Sequence, residues 1–112
     1  MKVLRLLILL AVSNLAFAQT PNHSVQLSWT ASTDTGGTVN VYRAPGSCSG
    51  TFTQLKTGVA AAGPYTDTTV TVGTFAYQVT AVVGGAESKP SNCVVASILP
   101  AAPTVLVIVT TN

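Results

Sequence analysis

The sequence predicts an all-β fold, a sandwich of about seven strands, and three observations carry that expectation. Residues 19–112 contain 17 Thr and 14 Val in 94 positions, β-branched types that favour pleated, half-buried surface. No stretch in that span repeats its apolar residues every 3.6 positions. Short alternating runs are instead separated by Gly, Pro, Asn and Asp, the punctuation of a sandwich or barrel. The full length of 112 residues suits one domain with a modest core.

Residues 1–18 stand apart. Lys2 and Arg5 precede the apolar run Leu6–Val12, and Ala16-Phe17-Ala18 follows. A basic start, a short apolar stretch and a small-x-small site make up a secretory signal peptide. The run is short for a bilayer span, so a permanent membrane span is not expected, although a retained anchor is the competing reading. Cleavage after Ala18 leaves Arg43, Lys56 and Lys89 against Asp34, Asp67 and Glu87. The formal charge of +2 therefore belongs to the leader, and no basic patch remains to bind nucleic acid. The expected destination is secreted or extracellular, where disulfides persist.

The strands follow in order. Val25, Leu27 and Trp29 alternate with polar neighbours near Ser24–Thr30. Ala31–Gly37 is a loop, and Val39 and Val41 mark a strand over Thr38–Arg43. A Pro45–Gly50 loop precedes a short strand around Thr51–Leu55. Tyr65–Val72 is the fourth strand. Phe75, Tyr77, Val79 and Ala81 share a face in Thr74–Val82. Gly84-Gly85 is a hairpin turn, and Asn92–Leu99 is the sixth strand. The expected core is Val25, Leu27, Trp29, Val41, Tyr65, Phe75, Tyr77 and Val79.

These pieces, taken in order, resemble a fibronectin type III domain of the bacterial secreted kind, an immunoglobulin-like sandwich. The matching residues are Ser24–Thr30, Val39–Arg43, Tyr65–Thr68, Gly73–Phe75 with Tyr77–Val82, Glu87-Ser88 and Pro90–Asn92. The resemblance covers residues 24–99 and implies strands B, C, C′, E, F and G, with Trp29 as the core tryptophan of B. Phe75 stands where the family usually has a tyrosine that ties down the E–F corner. The family's first strand, A, is missing from its place before Ser24. A segment of its type, Pro100-Ala101-Ala102-Pro103-Thr104-Val105-Leu106-Val107-Ile108, occurs instead at the other end of the chain.

The expected organisation is thus a signal peptide (1–18), a sandwich (19–99), and a linker with a C-terminal strand (100–112). Val105, Leu106, Val107, Ile108 and Val109 form the candidate strand. The linker Pro100–Thr104, with Pro100 and Pro103, reaches ~16 Å at about 3.1 Å per residue. In the family, strand A runs parallel to G, so a return within one molecule must retrace ~23 Å of strand at about 3.3 Å per residue. That favours donation of the tail to a second copy of the chain, head to tail, as β-strand addition. Pairing in cis with strand G, a truncated second domain, and a disordered end are the competing readings.

Cys48 lies in a loop, and Cys93 at the start of the sixth strand. Counting back from Gly84-Gly85 places Cys93 level with Ala76, facing outward. An intramolecular disulfide is the favoured reading, with bridging between subunits the alternative. Two Cys and one His lack metal-ligand spacing, and no cofactor motif occurs.

No catalytic residue is assigned. His23 reads as an exposed polar residue at the start of a strand. Asp34 and Glu87 read as solvated loop charges at one end of the sandwich, with Asp67 elsewhere in a strand. No phosphate loop or nucleophile elbow is present. Asn22-His23-Ser24 fits a glycosylation pattern that arises often by chance. The expected function is a non-enzymatic filament subunit. The alternative is a monomeric module that binds a glycan or protein through the B–C and F–G loops, where Tyr42 is the outward-facing aromatic.

Overall fold

The computed structural model describes residues 23–103 together with 107 and 108. The expected leader, its cleavage site, and Asn22 of the glycosylation pattern lie outside the described residues. His23–Leu99 forms one compact unit.

The unit His23–Leu99 is all-β, without a helix among the described residues. Its strands are β1 (Val25–Leu27), β2 (Thr38–Pro45), β3 (Thr53–Ala60), β4 (Tyr65–Asp67), β5 (Gly73–Val83), β6 (Ala86–Glu87) and β7 (Val94–Ile98). β1 pairs with β4 in a two-stranded sheet. The second sheet runs β3-β2-β5, with β6 and β7 both on the outer side of β5. Every pairing is antiparallel. Two such sheets sharing one core are consistent with a β-sandwich.

The core takes side chains from both sheets. Leu27, Val39, Val41, Val70 and Tyr77 are buried, with Val25, Trp29, Tyr65, Phe75 and Val79 packed against them. Alternation explains the selection. Val39, Val41 and Arg43 lie opposite Ala81, Val79 and Tyr77 on one face of the large sheet.

Several expected boundaries are corrected. β3 does not stop at Leu55 but continues to Ala60. Gly58, which looks like a turn residue, sits at φ +68° beside a register shift between the Val39 and Val41 pairs. It marks a bulge within a strand. β4 ends at Asp67 rather than Val72. The Asp67 carboxylate accepts from the Thr69 amide at 2.9 Å and its hydroxyl at 2.6 Å. That local turn competes with the ladder and sends Val70 into the core.

The expected sixth strand forms as β7, over Val94–Ile98, and an unexpected short strand, β6, precedes it. From the Gly84-Gly85 turn, Val83 pairs with Ala86 and Val82 with Glu87. Beyond the break Tyr77 pairs with Val94 and Ala76 with Val95. The register has slipped by two residues, so Ala76 lies level with Val95 and not with Cys93. An even slip keeps every side chain on its expected face.

Candidate functional site

The large sheet leaves a groove on its inner side, beside β1. It encloses about 520 Å³, walled by Leu27 and Trp29 on one side and by Ser88, Lys89, Ser91 and Val94 on the other, with Val79 and Ala81 at its floor. No residue of β4 lines it, so it opens on the β1 edge that faces away from β4.

Incomplete burial marks the same place. Tyr77 and Val94 are ladder partners and share the inner face. Tyr77 is 1% exposed and Val94 47%. Trp29 stands at the opposite lip, half-buried, its indole Nε1 donating to the Ala61 carbonyl at 2.8 Å. The groove is thus a strip of inner face that the described strands leave uncovered.

The wall opposite β1 is unusual in its bonding. The amides of Ser88 and Ser91 donate to the carbonyls of Ala81 and Val79, each at 2.8 Å. Their hydroxyls accept from the Ala81 and Val79 amides at 2.9 and 3.1 Å. Two serine side chains take the place of a regular ladder there and let Lys89-Pro90 loop out between them. This accommodates the two-residue slip.

Cys48 and Cys93 form a disulfide within the chain, with Cα atoms 6.0 Å apart. It draws the Gly46–Gly50 loop across the outer face of the sheet, where the paired Ala44 and Ala76 are both fully buried. The Gly46 amide secures the loop by donating to the Thr74 carbonyl at 2.8 Å. The bond also fixes the chain one residue before Val94, at the end of the groove wall.

The acids part company. Asp67, fully buried, accepts from the Tyr77 hydroxyl and from Arg43 Nη1, both at 2.8 Å. Arg43 Nη1 also donates to Thr69 at 2.8 Å, and its guanidinium carbon lies 5.2 Å from the Phe75 ring centre. Burial pushes the Asp67 carboxyl up. The bonds from the Thr69 hydroxyl and amide, Tyr77 and Arg43 outweigh it and hold the group below its usual range. Burial and the neighbouring carboxylate push the Tyr77 hydroxyl up, so it stays a donor.

Glu87 is exposed, as expected, but it is not a loop charge. It lies in β6 and accepts from Thr80 at 2.6 Å, from Asn40 at 3.3 Å, and from the Tyr42 hydroxyl. The Thr80, Tyr42 and Asn40 bonds hold its carboxyl below the usual range. Tyr42 does face outward, but its hydroxyl is committed to this cluster. Asp34 is exposed and, with Glu87, borders a shallow depression that includes Ser32, Thr35 and Val83.

Neither acid network was legible in the sequence, because each joins residues distant in the chain. The one available signal was the position of Arg43 on an inward-alternating face, where an unpaired cation is costly. Of the expected donor strand, Val105, Leu106 and Val109 lie outside the described residues. Val107 and Ile108 carry no regular secondary structure, and Pro100 and Pro103 are exposed and lie outside any strand. Among the described residues no group of three or more His, Cys, Asp or Glu is placed to hold a metal. No described helix is long and apolar enough to cross a membrane.

No family model matches the chain, and no curated protein is significantly similar to it.

Proposed function

We propose that this protein is a secreted, non-enzymatic structural subunit that assembles head to tail. The segment Val105–Val109 of one copy fills the groove beside β1 of the next. The observation that carries this reading is the half-exposed Val94 opposite the buried Tyr77. A side chain of the inner face lacks a covering strand, and the chain carries an apolar strand-like segment at its end. Val105–Val109 has no charge and no polar residue, a composition hazardous when left exposed. Burying two or three of its side chains contributes ~3–9 kcal/mol at about 1.5–3 kcal/mol each.

The strand order supports a fibronectin type III-like assignment, with β1–β4 in the place of B and E and β3-β2-β5-β6/β7 in that of C′, C, F and G. In that assignment the groove is the position of strand A. A disulfide within the chain fits an extracellular setting.

Size-exclusion chromatography and negative-stain microscopy of mature protein, with and without Pro103–Asn112, test the reading. Full-length protein should form concentration-dependent oligomers or filaments, and the shortened form should not. Full-length protein that stays monomeric at high concentration refutes assembly in trans and favours the tail's pairing in cis. The depression bordered by Asp34 and Glu87 favours a second reading, a binding module, which a glycan-array screen of the monomer would reveal.

A further inference from the structure

We infer that β1 is the edge that hydrogen-bonds the incoming strand, and that the Ser88–Cys93 wall touches it through side chains alone. This rests on the assembly proposed above and specifies its surface. The occupant is the Val105–Val109 segment of a second copy.

The groove has two walls, and β1 offers a regular main-chain template beside it. β1 uses one side for β4, through Val25, Gln26 and Leu27. It has no other ladder partner among the described residues. Alternate amides and carbonyls of an antiparallel strand point to its other side, which here is the groove.

The opposite wall has committed part of its main chain elsewhere. The Ser88 and Ser91 amides point back to β5. The Lys89 and Asn92 carbonyls accept the Ser88 and Ser91 hydroxyls at 2.8 and 2.9 Å. Pro90 has no amide to give. A charged residue and a proline in a bulged segment are the devices that close a β edge to pairing.

Of the remaining edges, β7 has no second ladder partner among the described residues and is the competing template along Val94–Ile98; the others are blunted. β3 carries Lys56 and two register shifts against β2, and β4 is cut short by the Asp67–Thr69 turn. The groove is therefore asymmetric. Backbone recognition comes from β1, while Val94, Val79 and Trp29 read the apolar side chains.

Hydrogen exchange of full-length mature protein, compared between dilute monomer and assembled material, tests this edge assignment. Amides in residues 24–30 should exchange about tenfold more slowly or better in the assembly, with residues 88–93 unchanged. Slowing at 88–98 or 53–60, with 24–30 unaffected, overturns the edge assignment and leaves assembly standing. If no assembled form exists at any concentration, the assembly reading fails, and this inference fails with it.

Discussion

The Tyr77 hydroxyl donates to Asp67 Oδ2 at 2.8 Å and so joins the central strand of the large sheet to the last residue of β4 in the small one. The bond is buried, and Arg43 completes it from β2 at the same distance. Residues from three strands thus meet at one carboxylate. This tie is made at position 77, not at Phe75, where the resemblance places the family's corner tyrosine. Phe75 instead packs beneath the Arg43 guanidinium.

Tyr77→Phe removes a donor to a charged group and leaves the ring in place. It should cost about 1.5–3 kcal/mol, read as a lower urea midpoint with unchanged slope. Asp67→Ala should cost more, about 3–5 kcal/mol, because Arg43, Thr69 and Tyr77 all lose their acceptor.

Stability should decline in acid. Asp67 and Glu87 both have folded-state values below their ordinary 3.8 and 4.5. Their stabilisation is complete above those ordinary values and is lost as pH falls through the depressed ones. Urea midpoints should be flat from pH 7 to about 5 and drop below about pH 4. In Asp67→Asn that drop should be shallower; an identical acid profile would rule Asp67 out as its source.

Reduction should leave a monomer that unfolds more easily. The disulfide closes a 45-residue separation, worth about 4 kcal/mol by the chain-entropy argument. Cys48→Ser/Cys93→Ser should lose stability of that order. Non-reducing electrophoresis of the parent should show no covalent ladder.

Gly63→Ala should disturb the lip of the groove. A Cβ there would meet the Trp29 ring at 2.9 Å, and the residue sits at φ +64°, a conformation that only glycine adopts freely. The substitution should destabilise by ~1–3 kcal/mol and shift the emission of Trp29, the sole tryptophan. An unchanged spectrum would mean that the ring does not rest on this turn.

Val94 and Val95 offer a paired test of assembly. They are 47% and 53% exposed and point to opposite faces of β7. Val94→Asp should abolish oligomers while the monomer melts near the parent temperature. Val95→Asp, on the outer face, should assemble normally. Equal loss in both would detach assembly from the groove.

Much of the sandwich was legible because alternation is a local signal. Leu27, Val41 and Tyr77 fall at inward positions, and all three are buried. The errors lay where one residue type serves two purposes. The strand expected to stop at Leu55 runs on to Ala60, past a bulge at Gly58, a residue type that elsewhere makes turns. Asp67-Thr68-Thr69 continues a β-branched run, yet a carboxylate bonded to its own neighbour stops the strand. Glu87 follows a hairpin turn and reads as a loop charge; it is exposed, but it sits in a strand where three donors converge on it.

By itself the sequence determined the all-β class, the alternation that selects the core, and the apolar tail of Val105–Val109, since each is written in neighbouring residues. The tertiary structure alone decided the two-residue slip before Val94, the burial of Asp67 among Arg43, Thr69 and Tyr77, and the groove beside β1. Register, charge pairing and an uncovered strip of core depend on which distant strands meet, and no local pattern of side chains encodes that distance.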